Sequence, residues 1–253
     1  MSTRLPSDAS TAPVSATDFG VTLTVESFVP YGVLASIGIG VSSPGCEAPR
    51  EQLATYGLHQ SELALAASLP ALQSAGFVAG RRALRAALGR IAPDRTIGPL
   101  LRTHRGAPTL PTGLTGSISH KRSRAIAVAA PSDGEVLGVD LEARPQDGDP
   151  LRHSIADRIL TASERERLDG LDALAHRETT LVHFALKEAV YKSIDPYVGR
   201  YVRFTEVELE VGADGFAMVR LLLPEASVQE VAVEAHWRFE GNWIIAMARS
   251  HRP

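Results

Sequence analysis

The chain has 253 residues, 44% of them hydrophobic and 22% charged, with a formal net charge of −3. That length can bury a full core, as one large domain or two of ordinary size, and the composition is that of a soluble globular protein. The slight acidity argues against a protein that lives on nucleic acid, and no apolar run is long enough to span a bilayer. Cys46 is the only cysteine, which excludes an internal disulfide and a cysteine-rich zinc site and fits a reducing cytoplasm.

In chain order, Met1 to Thr17 are rich in Ser, Thr, Ala and Pro and lack the apolar core of a signal peptide, so they read as a mobile tail. A short strand is expected in Phe19 to Val29, then a buried one over Val33 to Val41. Gly38-Ile-Gly40 lacks the third glycine and the following helix of a dinucleotide site. Helical patterns cover Glu51 to Leu69 and Pro70 to Leu88, with Gly89 as a stop. The second helix carries Arg81 and Arg85 on one face, which alone favours a solvated basic surface over an anion cradle. A loop from Arg102 to Pro111 follows. Gly116 to His120 then reads as a strand, Lys121-Arg-Ser-Arg124 as a basic turn and Ala125 to Ala130 as the return strand. Cations that dense repel unless an anion is near, which makes the turn, with Ser119 and His120, a phosphate-site candidate.

Pro131-Ser-Asp-Gly134 is a turn and the best boundary, dividing an N-terminal half, 18–133, from a C-terminal half, 134–253. Val136 to Leu141 is an apolar, β-branched strand, and alternation sends Asp140 and Glu142 to one side with Leu141 on the other. Taken alone, that acidic pair reads as an exposed strand end. After a polar loop, a helix is expected over Leu151 to Leu160, and Thr161-Ala-Ser-Glu164 has the capping-box pattern that opens another. A helix from Glu178 to Ser193 buries Val182, Ala185, Leu186, Ala189 and Val190 and puts Glu188 and Lys192 on a different face. Two carboxylates from a strand and one from a helix suit a hard cation such as Mg²⁺, completed by phosphate oxygens or water, with Lys192 placed to meet the phosphate. The remainder is β: Val202 to Val211, Phe216 to Leu223, Val228 to Phe239 and Trp243 to Ala248. There is no Walker loop, no His-Glu-x-x-His and no Gly-x-Ser-x-Gly, and His153, His176 and His183 lack metal-ligand spacing.

The ordered set Gly80-Arg81, Gly106-Ala-Pro108, Ser117-Ile-Ser-His120, Gly138-Val-Asp-Leu-Glu142, Thr161-x-x-Glu164 and Phe184-x-x-Lys-Glu-x-x-x-Lys192 resembles the 4′-phosphopantetheinyl transferases. More closely, it resembles their long, single-chain (Sfp-type) branch, which serves peptide and polyketide synthases. The resemblance implies an α+β fold of two similar halves with pseudo-twofold symmetry and coenzyme A in the cleft between them. It implies Mg²⁺-dependent transfer (Mn²⁺ being an alternative) of the phosphopantetheine arm of coenzyme A to a serine of an acyl or peptidyl carrier protein. Adenosine 3′,5′-bisphosphate is released, and the enzyme is expected to be a cytoplasmic monomer without nucleic-acid or membrane partners.

Carried over residue by residue, Asp140, Glu142 and Glu188 match the metal-binding carboxylates. Ser119 and His120 match residues at the coenzyme A phosphates, with His120 and Arg81 at the 3′-phosphate. Lys192 matches a cation at the diphosphate, and Pro108 lies in the loop bordering the adenine. Asp140, Glu188 and Lys192 are then the expected catalytic residues, with Glu188 or a metal-bound water as base. Ala107 stands where some relatives carry a basic residue, a gap that Arg105 or Lys121 could fill. The competing readings are a Mg²⁺-dependent phosphoesterase acting on a nucleotide diphosphate, and a non-catalytic module that binds carrier proteins.

Overall fold

A computed structural model describes residues 14–18, 21–28, 31–38, 57–121, 123–146, 153–224 and 230–252. The N-terminal half contributes strands β1 (Val14–Asp18), β2 (Val21–Phe28), β3 (Gly32–Gly38), β4 (Leu114–Lys121) and β5 (Arg124–Pro131), with helices α1 (Gln60–Ser68) and α2 (Ala71–Ile91) between β3 and β4. The C-terminal half holds β6 (Val136–Ala143), helices α3 (His153–Ile159), α4 (Ala162–Leu168) and α5 (Ala173–Val198), then β7 (Val207–Val211), β8 (Phe216–Leu221), β9 (Ala232–Glu240) and β10 (Trp243–His251). Each half is one five-stranded sheet, ordered β1-β2-β3-β5-β4 and β6-β10-β9-β8-β7, with antiparallel neighbours throughout. Both repeat one unit: a strand, a long helix, and a hairpin whose second strand pairs with the first, giving β3-β5-β4 and β6-β10-β9. The fold is α+β with two similar halves.

Three apolar clusters follow from strand alternation. One lies between α2 and the first sheet, around Ala83, Leu84, Leu88 and Ala127. Another lies between α5 and the second sheet, around Leu186, Val190, Ile194 and Ile244. The third joins the sheets: Phe28, Tyr31, Leu34, Ile126 and Val128 meet Leu137, Val139, Leu141, Ile245 and Met247. Odd residues of β6 thus enter the inter-sheet core, and Gly138, Asp140 and Glu142 turn the other way, towards α5. Glycine is required at 138, because a Cβ there would lie 1.9 Å from the Ala189 carbonyl oxygen.

The halves are also joined by a seam of side-chain hydroxyls. Leu137, Val139 and Leu141 donate their backbone N–H groups to Thr115 Oγ1, Ser117 Oγ and Ser119 Oγ at 3.1, 3.1 and 3.2 Å. β6 would otherwise leave those donors bare inside the protein, at a cost of about 1–3 kcal/mol each.

Several boundaries differ from the sequence reading. β1 overlaps the end of the stretch read as a tail, while Met1 to Pro13, Cys46, Arg122 and the start of the Glu51 helix lie outside the described residues. α2 passes Gly89, and Ala92 N–H still reaches Leu88 O. α5 begins five residues early because Asp172 caps it, accepting from Leu174 and Ala175 N–H. It ends at Gly199, whose φ of 66° is the left-handed conformation that favours glycine at a helix terminus. A 3₁₀ turn, Phe204–Glu206, takes the place of the first residues expected in β7.

Candidate active site

β6 and α5 carry the predicted carboxylates, near enough for Glu142 to feel the charges of Asp140 and Glu188. Asp140 and Glu142 are 6% and 7% exposed, so the exposed-strand-end reading fails. Asp140 Oδ1 accepts from Lys192 Nζ at 2.7 Å and from Ser119 Oγ at 2.9 Å; Lys192 also donates to Val139 O at 2.8 Å. Asp140 Oδ2 is buried and has no partner among the described residues. Lys121 Nζ grips both oxygens of Glu142, at 2.7 and 2.5 Å. Glu188, half-buried one helical turn before Lys192, feels the charges of Lys192, Asp140 and Lys121. Burial pushes the Glu188 and Glu142 carboxyls above the usual carboxylate range, and the neighbouring acids add to it.

Cations line the other side. His120, the last residue but one of β4, has its ring against Gly76 of α2, where an added Cβ would come within 2.6 Å of Nδ1. Burial of that ring, helped by the charges of Arg102, Lys192 and Arg81, pushes the imidazole pKa down. Arg81, 4% exposed, stacks on Phe77 with Cζ 4.4 Å from the ring centre, and Arg102 lies 5.2 Å from the same ring. Burial, then Arg102, lowers the Arg81 pKa to about 10. Arg102, Lys192 and Arg81 thus hold the His120 imidazole towards its neutral form, and an anion among these cations would relieve their repulsion and restore the imidazole's charge.

Arg81 and Arg85 are not a solvated surface. Arg81 donates to Leu100 O and Leu101 O. Arg85 binds the fully buried Glu62 at 2.7 Å and the carbonyls of Ile97 and Gly98. Both arginines hold the 97–101 loop, and Glu62 completes it by accepting Leu100 N–H at 2.9 Å. The basic turn already has its anions. Lys121 is neutralised by Glu142 and Arg124 by Glu240, and Arg124 also donates to Ser36 Oγ.

Arg105 and Lys121 do not fill the gap at Ala107. Lys121 is held by Glu142, and Arg105 reaches across to α5. There it donates to both oxygens of Asp195, to Gly199 O at 3.1 Å and to Tyr191 Oη at 3.4 Å. The loop carrying Pro108 is closed on itself by Thr103 N–H to Ala107 O and Gly106 N–H to Thr103 O, and Arg105 pins it to the second half. Arg105→Ala should accelerate hydrogen exchange at the Thr103 and Gly106 amides. Unchanged exchange would mean the loop holds itself.

Lys187, inside the same motif, is 1% exposed and points away from this site. Its ammonium donates to Glu164 Oε2 at 2.6 Å, Ile159 O at 2.8 Å and Phe204 O at 3.0 Å. Glu164 also caps α4 through Thr161 N–H and accepts Leu209 N–H at 2.8 Å. The Thr161-x-x-Glu164 signature is therefore structural. His183 is a core residue whose Nδ1 bonds Thr179 O.

Among the described residues no three His, Cys, Asp or Glu side chains are drawn close enough to hold a metal; lysines sit on two of the three carboxylates instead. The donor set nevertheless fits a hard cation: three carboxylates, of which Asp140 keeps one buried oxygen without a partner among the described residues. A hollow of 640 Å³ near Tyr31, Glu210, Phe216 and Met218 includes none of these groups, so charge rather than volume locates the site.

The sequence on both sides of the seam matches known models: residues 59–130 the 4′-phosphopantetheinyl transferase N-terminal domain, and 136–248 the 4′-phosphopantetheinyl transferase superfamily. The chain belongs to the 4′-phosphopantetheinyl transferase superfamily. Among its relatives in this superfamily, it is 38% identical over 172 residues to the transferase Svp of Streptomyces mobaraensis, covering 66% of this chain and 65% of that one. It is 29% identical to the transferase Npt of Nocardia iowensis, over 88% of this chain and 95% of the other. A solved holo-(acyl-carrier-protein) synthase from Bacillus anthracis, in complex with CoA (3′,5′-ADP), aligns at 21% identity and a TM-score of 0.38 over 46% of this chain and 96% of its own.

Proposed function

We propose that this protein transfers the 4′-phosphopantetheine arm of coenzyme A to a serine of an apo acyl or peptidyl carrier protein. The observation that carries the reading is the pairing, in a chain of this superfamily, of three carboxylates with a converging set of cations. Asp140, Glu142 and Glu188 face His120, Arg81, Arg102 and Lys192 where the two halves meet. His120 and Arg81 read the 3′-phosphate, Lys192 meets the diphosphate, and Pro108 borders the adenine. Asp140, Glu142 and Glu188 would hold Mg²⁺ or Mn²⁺, which when bound neutralises charge developing on the diphosphate.

The carrier serine Oγ forms a bond to the β-phosphorus of coenzyme A as the bond to the bridging oxygen breaks, releasing adenosine 3′,5′-bisphosphate. Glu188 has no lysine hydrogen-bonded to it among the described residues, so its carboxylate is available for the serine proton. Burial raises that carboxyl in the metal-free site, and a bound cation would lower it again. Lys192 stabilises the charge that develops on the departing 5′-phosphate of adenosine 3′,5′-bisphosphate. Carrier domains of polyketide and nonribosomal peptide synthases, in the cytoplasm, are the proposed setting, with the protein acting as a monomer.

Coenzyme A, Mg²⁺ and an apo carrier domain, followed by intact mass, test this directly. The carrier should gain one phosphopantetheine. Consumption of coenzyme A without that gain would establish the phosphoesterase instead. His120→Ala and Arg81→Ala should each raise KM for coenzyme A about ten- to a hundredfold, the loss of roughly 1.5–3 kcal/mol from a charged hydrogen bond. With dephospho-coenzyme A, which lacks the 3′-phosphate, both variants should match the wild type. Equal weakening of both cofactors would remove these residues from that phosphate.

A further inference from the structure

The 640 Å³ hollow lies at the other end of the second sheet from the carboxylates. On β10, Trp243 pairs with Ala143, next to Glu142, whereas Ala248 to Ser250 pair with Ala235 to Val233, which line the hollow. Five residues of strand, about 16 Å, separate the two places. The hollow opens where β8 and β9 part. Among the described residues, Phe216 and Ala217 of β8 pair with His236 and Ala235, and from Met218 onward β8 pairs with β7 alone.

Its walls combine rings with carboxylates. Tyr31 comes from the first half, while Phe216 and Met218 come from β8 and are 55% and 67% exposed. Phe216 stands edge-on to His236 with ring centres 5.0 Å apart, and His236 stands edge-on to Phe28 at 5.4 Å. Gly212 N–H donates to Phe216 O at 2.8 Å, and Phe216 N–H to Asp214 Oδ1 at 3.2 Å. That ring and that carboxylate are therefore fixed relative to each other before any ligand arrives. Glu210, Asp214 and Glu234 supply the charge. The nearby cations are already taken: Arg249 by Glu234 at 2.7 Å, Arg220 by Glu208, and Arg238 by Glu26 and Glu240. Glu210 and Asp214 have no ion pair among the described residues. Burial, then Arg238, pushes the His236 imidazole pKa down, and burial, then Glu234, pushes the Tyr31 phenol up to about 12, so neither ring adds a charge.

We propose that this hollow is a second binding site, which takes a small organic cation with an apolar body, of the arylalkylammonium class. The apolar body packs on Phe216 and Met218, and the ammonium lies against Glu210 and Asp214. Aromatic faces and unpaired carboxylates both attract a cation, and the same groups repel an anion. The volume is that of a small-molecule site, which sets the size of the ligand. The proposal goes beyond the transfer reaction and holds whatever the carboxylate site does, because the two share no residue.

Calorimetric titration of the full chain with three probes of one shape tests it. 2-Phenylethylammonium, 2-phenylethanol and 3-phenylpropanoate share a phenylethyl body and differ in charge. The ammonium should bind, the alcohol should bind about tenfold more weakly, and the propanoate should give no heat of binding. The double variant Glu210→Gln, Asp214→Asn, which keeps an acceptor for the Phe216 N–H, should weaken the ammonium about tenfold. Glu210→Gln alone, at an exposed position, replaces the pair if the double variant fails to fold, with an expected loss of about threefold. Phe216→Leu should weaken the ammonium more than the alcohol, because only the cation uses the face of the ring. Glu166→Gln, an exposed carboxylate on α4, should leave binding unchanged. Saturating coenzyme A should leave it unchanged as well, because the hollow stands clear of the carboxylate site. Equal binding of all three probes would overturn the proposal, leaving an apolar depression that reads no charge. It would also be overturned by no binding of the ammonium at millimolar concentration, by binding that survives the carboxylate variants, or by binding that coenzyme A displaces.

Discussion

Lys187→Met should destabilise the protein by about 3–5 kcal/mol, the cost of removing one partner from a buried ion pair. The lysine is nearly sealed from solvent, and Glu164 beneath it is wholly buried. Without the ammonium, Glu164 keeps only the N–H groups of Thr161 and Leu209 around a charge that has no counter-ion. The carbonyls of Ile159 and Phe204 lose their donor in the same step, so the α3–α4 turn and the 3₁₀ turn before β7 both come loose from α5. Against a typical total of about 5–15 kcal/mol this is a large fraction, and the unfolding midpoint should drop by about 10 °C or more. The double variant Lys187→Met, Glu164→Gln should recover part of the loss, because it removes the unpaired charge along with its partner. Chemical denaturation of both variants measures this. Should the single variant unfold like wild type, Glu164 must lose its charge at no cost, and the pair would not organise these turns.

Lys187 also shows where sequence reading stopped. Asp140 and Glu142 were legible because strand alternation fixes their common side, and Glu188 and Lys192 because one helical turn separates them. Lys187 lies in the same motif and reads as another cation. Its surroundings come from Ile159, Glu164 and Phe204, 17 to 28 residues away, and periodicity does not report those. A signal was present all the same: Lys187 stands four residues after the buried His183 and three before the buried Val190, on the edge of the core stripe. The basic turn misled for a similar reason, since the carboxylates that neutralise Lys121 and Arg124 come from the other half of the chain. The arginines of α2 were likewise read against solvent, when a loop ten or more residues on supplies carbonyls for both. Alternation and spacing thus place a residue on a face. What that face meets is set by how the two halves dock.

Glu188→Gln should stop transfer while making the cofactor-free protein more stable at neutral pH. The activity loss follows from removing the group proposed to take the serine proton, worth roughly 10²–10⁴-fold in rate. The stability gain follows from the sign of the shift. Burial holds the Glu188 carboxyl above its unfolded value, so the folded state favours the protonated form. Its stabilising contribution is therefore present below the unfolded pKa and is lost as pH rises through the folded one. At neutral pH the charge is a net cost, which glutamine does not carry. The variant's advantage in Tm should be clear at pH 7 and should close as pH falls into the carboxylate range. Asp140→Asn should lose activity without that gain, because its carboxylate is already matched to Lys192 and Ser119. Lys192→Ala should retain metal binding but slow the chemical step, since the diphosphate loses a cation only as charge develops. Thermal melts from pH 4 to 8, alongside single-turnover rates across a Mg²⁺ titration, separate the three variants. If Glu188→Gln melts below wild type at pH 7, the carboxylate is a structural anchor of α5, and the base must be sought elsewhere.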